Sequence, residues 1–209
     1  MSDDLLDLSS EPLFTCLPNW ASTPKYSFTA LRRLVAYAGT ADNIQSLGNV
    51  PAFACDAIFL LCDRSSKNEF LDFMHARAGR VERFWFRHPA SFFTLKNNAN
   101  IGATTIYVER QQFDWIWQGY ERIYISRSNG DVITRKLTNV VDNEPLDRLE
   151  LTFSGALDRT INVTDKDTIG RLLLCRFDTE EFQFKLVHQT ISEVTIRVVE
   201  LIQEYSELS

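Results

Sequence analysis

The sequence predicts a mainly β protein: a β-sandwich with one packed α-helix, and a small β-barrel inserted into the chain. Three observations carry this. The aromatic content is high, with 15 Phe, 6 Tyr and 4 Trp in 209 residues, and such residues favour strands with large buried faces. Alternation of apolar and polar residues recurs in short runs bounded by turn residues. One run alone has helical spacing with end signals.

The length suits one large domain, or one domain carrying a smaller insertion. A hydrophobic fraction of 44% and a charged fraction of 24% are ordinary for a globular chain. The net charge of −6 argues against wrapping a phosphate backbone. Residues 1–12 read as a flexible acidic arm, without the positive charge of a secretory leader. No apolar run reaches the length of a membrane helix, so no membrane partner is expected. The four cysteines, Cys16, Cys55, Cys62 and Cys175, lack C-x-x-C spacing. Cys55 and Cys175 sit in apolar, strand-like runs and read as buried thiols of a protein made in a reducing cytoplasm. Neither a zinc site from Cys55, Cys62 and a histidine nor an iron–sulfur site from all four is dictated, and no cofactor is expected.

In chain order, "KYSFTALRRLVAYAG" (25–39) reads as extended and "GTADNIQSLGNVP" as a loop. "AFACDAIFLLC" (52–62) places Phe53, Cys55, Ala57, Phe59 and Leu61 on one face of a buried strand. In "SSKNEFLDFMHARAG", Ser66 and Glu69 form a capping box, Phe70, Phe73, Met74 and Arg77 share a stripe, and Gly79 is the C-cap of a helix over 66–78. "RVERFWFRHP" alternates, with Val81, Arg83, Trp85 and Arg87 on one face and Glu82, Phe84, Phe86 and His88 on the other. From residue 97 to 168 short strands dominate: "TTIYVE", "ERIYIS", "DVITRKLTNVV" after the Asn129-Gly130 turn, "LDRLELTF" and "RTINV". Five such strands suit a small closed barrel of OB-like shape. "GRLLLCRF", "EFQFKLVHQ" and "EVTIRVVELIQEY" then read as a three-strand meander. The domains expected are a sandwich from 13–96 and 169–209, with the barrel inserted at 97–168.

The stretch "FLDFMHARAGRVERFWFRHP" (70–89) holds four arginines and five aromatics. Nucleic-acid binding would interleave arginines with exposed stacking rings. A buried aromatic face backed by a charged outer face produces the same alternation. On that reading Arg77, Arg80, Arg83 and Arg87 are interface or turn residues, paired within the chain or with acids of a neighbouring copy. Trp115, Trp117 and Tyr120 are candidate exposed contacts, with barrel packing the commoner role of such residues. His75, His88 and His188 are the only histidines, and no nucleophile, zinc-binding or phosphate-cradling motif accompanies them. An enzyme is not expected.

Four pieces follow one another: "LPNWAS", then "EFLDFMHARAGRVERFWFRHP", then a turn-rich insertion from "IGATTIYV" to "LELTFSGAL", then "FQFKLV" with a closing "ELIQEYSEL". This order resembles the tail-tip proteins of long-tailed bacteriophages, in particular the distal tail protein and related baseplate-hub components. The resemblance covers nearly the whole chain from about residue 17 and lies in pattern and order. It implies a β-sandwich core with a packed helix and a second small β-domain. It implies a homo-oligomeric, hexameric ring in the virion, assembled in the host bacterial cytoplasm, which joins the tail tube to the baseplate hub and receptor-binding apparatus. Genome DNA would pass through the lumen without specific binding, and a net acidic conduit suits that passage. No catalytic residues carry over. Two other readings remain open: a trimeric or iron–sulfur tail-tip hub protein, and a glycan- or nucleic-acid-binding module built on the inserted barrel.

Overall fold

The computed structural model describes residues 4–5, 11–16, 18–19, 25–29, 32–35, 43–46, 52–77, 80–88, 93–110, 121–127, 131–165, 167–179 and 181–201. The protein is mainly β, with one α-helix among the described residues. The strands of the first half are β1 (Asp4–Leu5), β2 (Lys25–Thr29), β3 (Arg32–Val35), β4 (Asn43–Ser46), β5 (Ala52–Leu61) and β6 (Phe84–Arg87). Helix α1 (Arg64–Ala76) lies between β5 and β6. The second half holds β7 (Thr105–Glu109), β8 (Arg122–Ser126), β9 (Val132–Asn143), β10 (Arg148–Phe153), β11 (Thr168–Phe177), β12 (Phe184–Leu186) and β13 (Ser192–Glu200). Two compact units are formed. The first comprises 1–13, 85–173 and 206–209, and the second 14–84 and 174–205.

In the first unit, an antiparallel ladder runs β11-β8-β9-β10-β7. Isolated bridges from Phe93 to Ile169 and from Leu95 to Val108 span its two ends. The long strand β9 serves both halves, pairing with β8 over 132–136 and with β10 over 137–143. A register shift at Thr152/Phe153 marks where β10 bends. Alternate residues of each strand point inward, among them Ile106 and Val108, Ile123 and Ile125, Ile133 and Leu137, and Leu151 and Phe153. Period-2 alternation over a one-sided apolar face thus sets the register here. Three findings differ from the sequence expectation. "RTINV" is no strand: Ile161 makes one isolated bridge to Ala99, and Asp165 accepts from the Asn162 amide at 3.3 Å, closing a turn. Within the expected mobile arm, Asp4–Leu5 pairs in parallel with Ile133–Thr134 of β9. The first unit also takes in chain on both sides of 97–168, including Trp85–His88.

In the second unit, β13 lies between β5 on one side and β12 and the end of β11 on the other, and β2 pairs with the far edge of β5. The last three strands are therefore no simple meander, because β12 pairs with β13 and lies beside the end of that strand. β12 is also shorter than "EFQFKLVHQ" suggests; after Leu186 the chain turns, with the Val187 amide donating to the Ile191 carbonyl at 3.0 Å. The predicted face of β5 is borne out, with Phe53, Cys55, Ala57, Phe59 and Leu61 all buried. Its partner face on β13, Val194, Ile196 and Val198, is buried too. Helix α1 covers this apolar sheet with Phe70 and Met74 buried and Phe73 half-buried. Rings interlock there: Phe70 stands 6.1 Å from Phe59, Phe73 packs edge-on to Phe84 at 5.4 Å, and Phe84 lies 4.5 Å from Phe177. Each such pair contributes about 0.5–1.5 kcal/mol beyond area burial. The helix starts two residues earlier than expected. Its N-cap is Asp63, whose carboxylate accepts from the Ser66 amide at 2.7 Å and the Ser66 hydroxyl at 2.8 Å. Asp63 directly precedes the helix and stands three residues before Ser66, so its carboxylate reaches an orphan amide of the first turn and displaces Ser66 from that role. The expected cap Gly79 lies outside the described residues.

Candidate functional site

The arginine and aromatic stretch is consumed by the fold. In the second unit, Arg77 closes the end of α1. Its amide donates to the Phe73 carbonyl at 3.0 Å, its own carbonyl accepts from the Glu82 amide at 3.1 Å, and its guanidinium reaches the Arg83 carbonyl at 3.5 Å. Arg80 lies 3.5 Å from Asp178. Asp178 also pairs with Arg197 at 3.2 Å, and Arg197 stands 3.5 Å from Asp56. Arg80, Asp178, Arg197 and Asp56 thus form a chain of alternating charge on the solvent face of β5 and β13. Its members are a third to a half exposed, which limits the energetic weight of each pair. Arg83 is half-buried and not free of partners.

In the first unit, the remaining part of the ribbon is enclosed. Trp85 is fully buried, and the buried Arg122 guanidinium lies over its ring at 4.5 Å. This overturns the charged outer face expected for Val81, Arg83, Trp85 and Arg87. Trp85 is inside, and Val81 lies outside the strand in an exposed turn. Next along β6, Phe86 is buried and Arg87 half-buried. The Arg87 charge acts on the Tyr124 phenol, whose pKa is raised by burial and drawn partly back down by that cation. Tyr124 donates to the His88 carbonyl at 3.0 Å, and the His88 amide donates to the Arg171 carbonyl at 3.0 Å. His88 is therefore buried just past β6, with its main-chain amide and carbonyl both paired. His75 and His188 are exposed.

Sequence reasoning missed the buried Arg135 and the half-buried Arg159 of this unit. Arg135 is 1% exposed on the inner face of β9, and its guanidinium donates to the carbonyls of Thr134 at 2.8 Å and Ala156 at 2.7 Å. Arg159 bridges Asp131 at 2.8 Å and Asp158, which holds the Asp158 carboxyl below its ordinary range. The only signal of Arg135 in the sequence was its phase with Ile133 and Leu137, a position that alternation reserves for apolar side chains.

An open groove of about 530 Å³ lies over the charged face of the second unit. Asp56, Arg197, Glu193, Lys185, Glu181 and Phe184 are among its lining. Two of its three acids are paired within the groove: Arg197 meets Asp56 at 3.5 Å, and Lys185 stands 4.0 Å from Glu193. Phe184 is held by an edge-on contact with Phe70 at 6.0 Å and by Lys67 above its ring at 5.3 Å. The thiols follow the expectation, with Cys55 and Cys175 buried; Cys16 is half-buried and Cys62 exposed. Burial pushes the Cys55 thiol up to about 11, and the Cys175 thiol is raised for the same reason. Among the described residues, no three His, Cys, Asp or Glu side chains are grouped to hold a metal ion, and no helix is long and apolar enough to cross a membrane. Trp115, Trp117 and Tyr120 lie outside the described residues.

In comparisons with known proteins, no family model and no curated sequence matches the chain.

Proposed function

We propose that this chain is a structural protein of a bacteriophage tail tip, of the distal-tail type. Its copies join into a ring, six in number, between the tail tube and the baseplate hub with its receptor-binding apparatus. One observation supports the reading above others: the arginine and aromatic ribbon is built into the scaffold. Phe84, Trp85 and Phe86 are at most 2% exposed, and Arg77 and Arg80 are engaged by the chain itself. A ribbon spent in this way shapes a framework and leaves its edges for neighbours. Two such edges are β2 and β12, each with a single partner strand among the described residues. Added strands at such edges bind through main-chain hydrogen bonds. The partners are further copies of the chain, the tail tube protein and hub proteins, and the site of action is the virion. DNA passes through the lumen, a passage that the net charge of −6 favours.

Native mass spectrometry with negative-stain imaging tests this. The expected result is one closed ring of defined subunit number. A monomer at every accessible concentration would remove the ring. Tight, salt-sensitive DNA binding lost on Arg80→Ala and Arg83→Ala would replace the scaffold role with a nucleic-acid one.

A further inference from the structure

We infer that the ring contact is head-to-tail, and that it seats the β12–β13 hairpin of one copy against the β9–β10 turn of the next. This rests on the ring reading above and names the surfaces that would make it. Each surface carries a large exposed apolar group. On the hairpin, Leu186 is 68% and Val187 54% exposed; on the turn, Leu146 is 52% exposed. Each also carries an ion pair in which one partner faces outward and the other is withdrawn. Lys185 on the hairpin is 77% exposed against 27% for its partner Glu193. On the turn the asymmetry is reversed in sign. Glu144 is 78% exposed against 35% for Arg110, and Asp147 is 79% exposed against 34% for Lys96.

The outermost charge of the hairpin is thus the Lys185 ammonium, beside apolar groups, and the outermost charges of the turn are the Glu144 and Asp147 carboxylates, beside an apolar group. Two hairpins facing each other would bring lysine to lysine, and two turns would bring acid to acid. The charges therefore select hairpin against turn, which is a heterologous contact that closes into a ring when its rotation permits. The turn is held in shape for this. Lys96 donates to the Leu146 carbonyl at 3.0 Å, and Asp147 adopts a left-handed backbone at φ 47.

Charge exchange tests the pairing. Lys185→Glu, and separately Glu144→Lys with Asp147→Lys, should each lose the oligomer while keeping the wild-type circular dichroism spectrum. Mixing the two variants should restore it, because each then offers the other two matched contacts. Leu186→Asp should also lose the oligomer, whereas Val81→Asp, at an exposed apolar group elsewhere, should not. Variants that assemble alone, or that stay apart when mixed, would overturn this interface and leave the ring reading standing. A monomeric wild type would overturn both.

Discussion

Gly170 shows how one residue constrains a sheet. A methyl group built there would stand 2.6 Å from the Tyr124 ring. That ring cannot swing aside freely, being 5% exposed and anchored to the His88 carbonyl. Gly170→Ala should therefore cost about 1–3 kcal/mol in urea unfolding, and Tyr124→Phe with the alanine should not recover it. Phe70, wholly buried among rings, should cost about 3–5 kcal/mol as Ala. The thiols give a pH test. Burial lifts Cys55 from 9.0 to about 11, so the unfolded chain loses that proton first. The stabilisation is complete below about pH 9 and is lost as pH rises through 11. It amounts to about 2–3 kcal/mol for a shift of this size. A denaturation midpoint that stays flat across that window in wild type, or that falls equally in Cys55→Ala, would refute it. Thiol reagents in native buffer should label Cys62 well before Cys55 or Cys175.

Helix α1 illustrates the scale of the element. Its existence was legible because Phe70, Phe73 and Met74 fall on one stripe, and a helix is the conformation that gathers them. Its start was not, since Asp63 and Ser66 both offer a capping oxygen and only the fold shows which one meets a free amide. Asp63→Ala should lower stability and Asp63→Asn largely preserve it. The Ser66 amide holds the Asp63 carboxyl below its ordinary value, so the cap's contribution is present at neutral pH. It should fade as pH falls through the folded value, a dependence that Asp63→Asn should lack. The strands divide in the same way. β5 and β13 were readable because each buries one face completely. β12 was overread because Leu186 and His188 continue the alternation into a turn. "RTINV" has a strand's composition, but the Asn162–Asp165 turn takes up its polar groups.

At the scale of the whole molecule, composition pointed to β structure because fifteen phenylalanines need broad faces to bury them. The ring cluster of Phe14, Phe59, Phe70, Phe73, Phe84 and Phe177 in the second unit is where several of them go. The proposed ring predicts an assembly sensitive to ionic strength, since its outward charges are exposed and screened within about 10 Å at 0.1 M salt. Light scattering should show dissociation as salt rises, with the monomer fold unchanged. Assembly indifferent to salt would shift the contact from the charged hairpin and turn to the apolar groups alone. Arg122 over Trp85 should matter to stability and not to assembly, because both are enclosed within the first unit.

By itself the sequence determined the local grammar: which runs alternate, which run is helical, and where turns interrupt them. These depend on neighbours along the chain, and periodicity records them directly. Only the tertiary structure decided that Trp85 is inside, that Arg122 and Arg135 are buried cations, and that β13 rather than β12 occupies the middle of its sheet. Alternation separates the two faces of a strand but cannot say which of them water reaches, because that depends on chain brought in from far along the sequence.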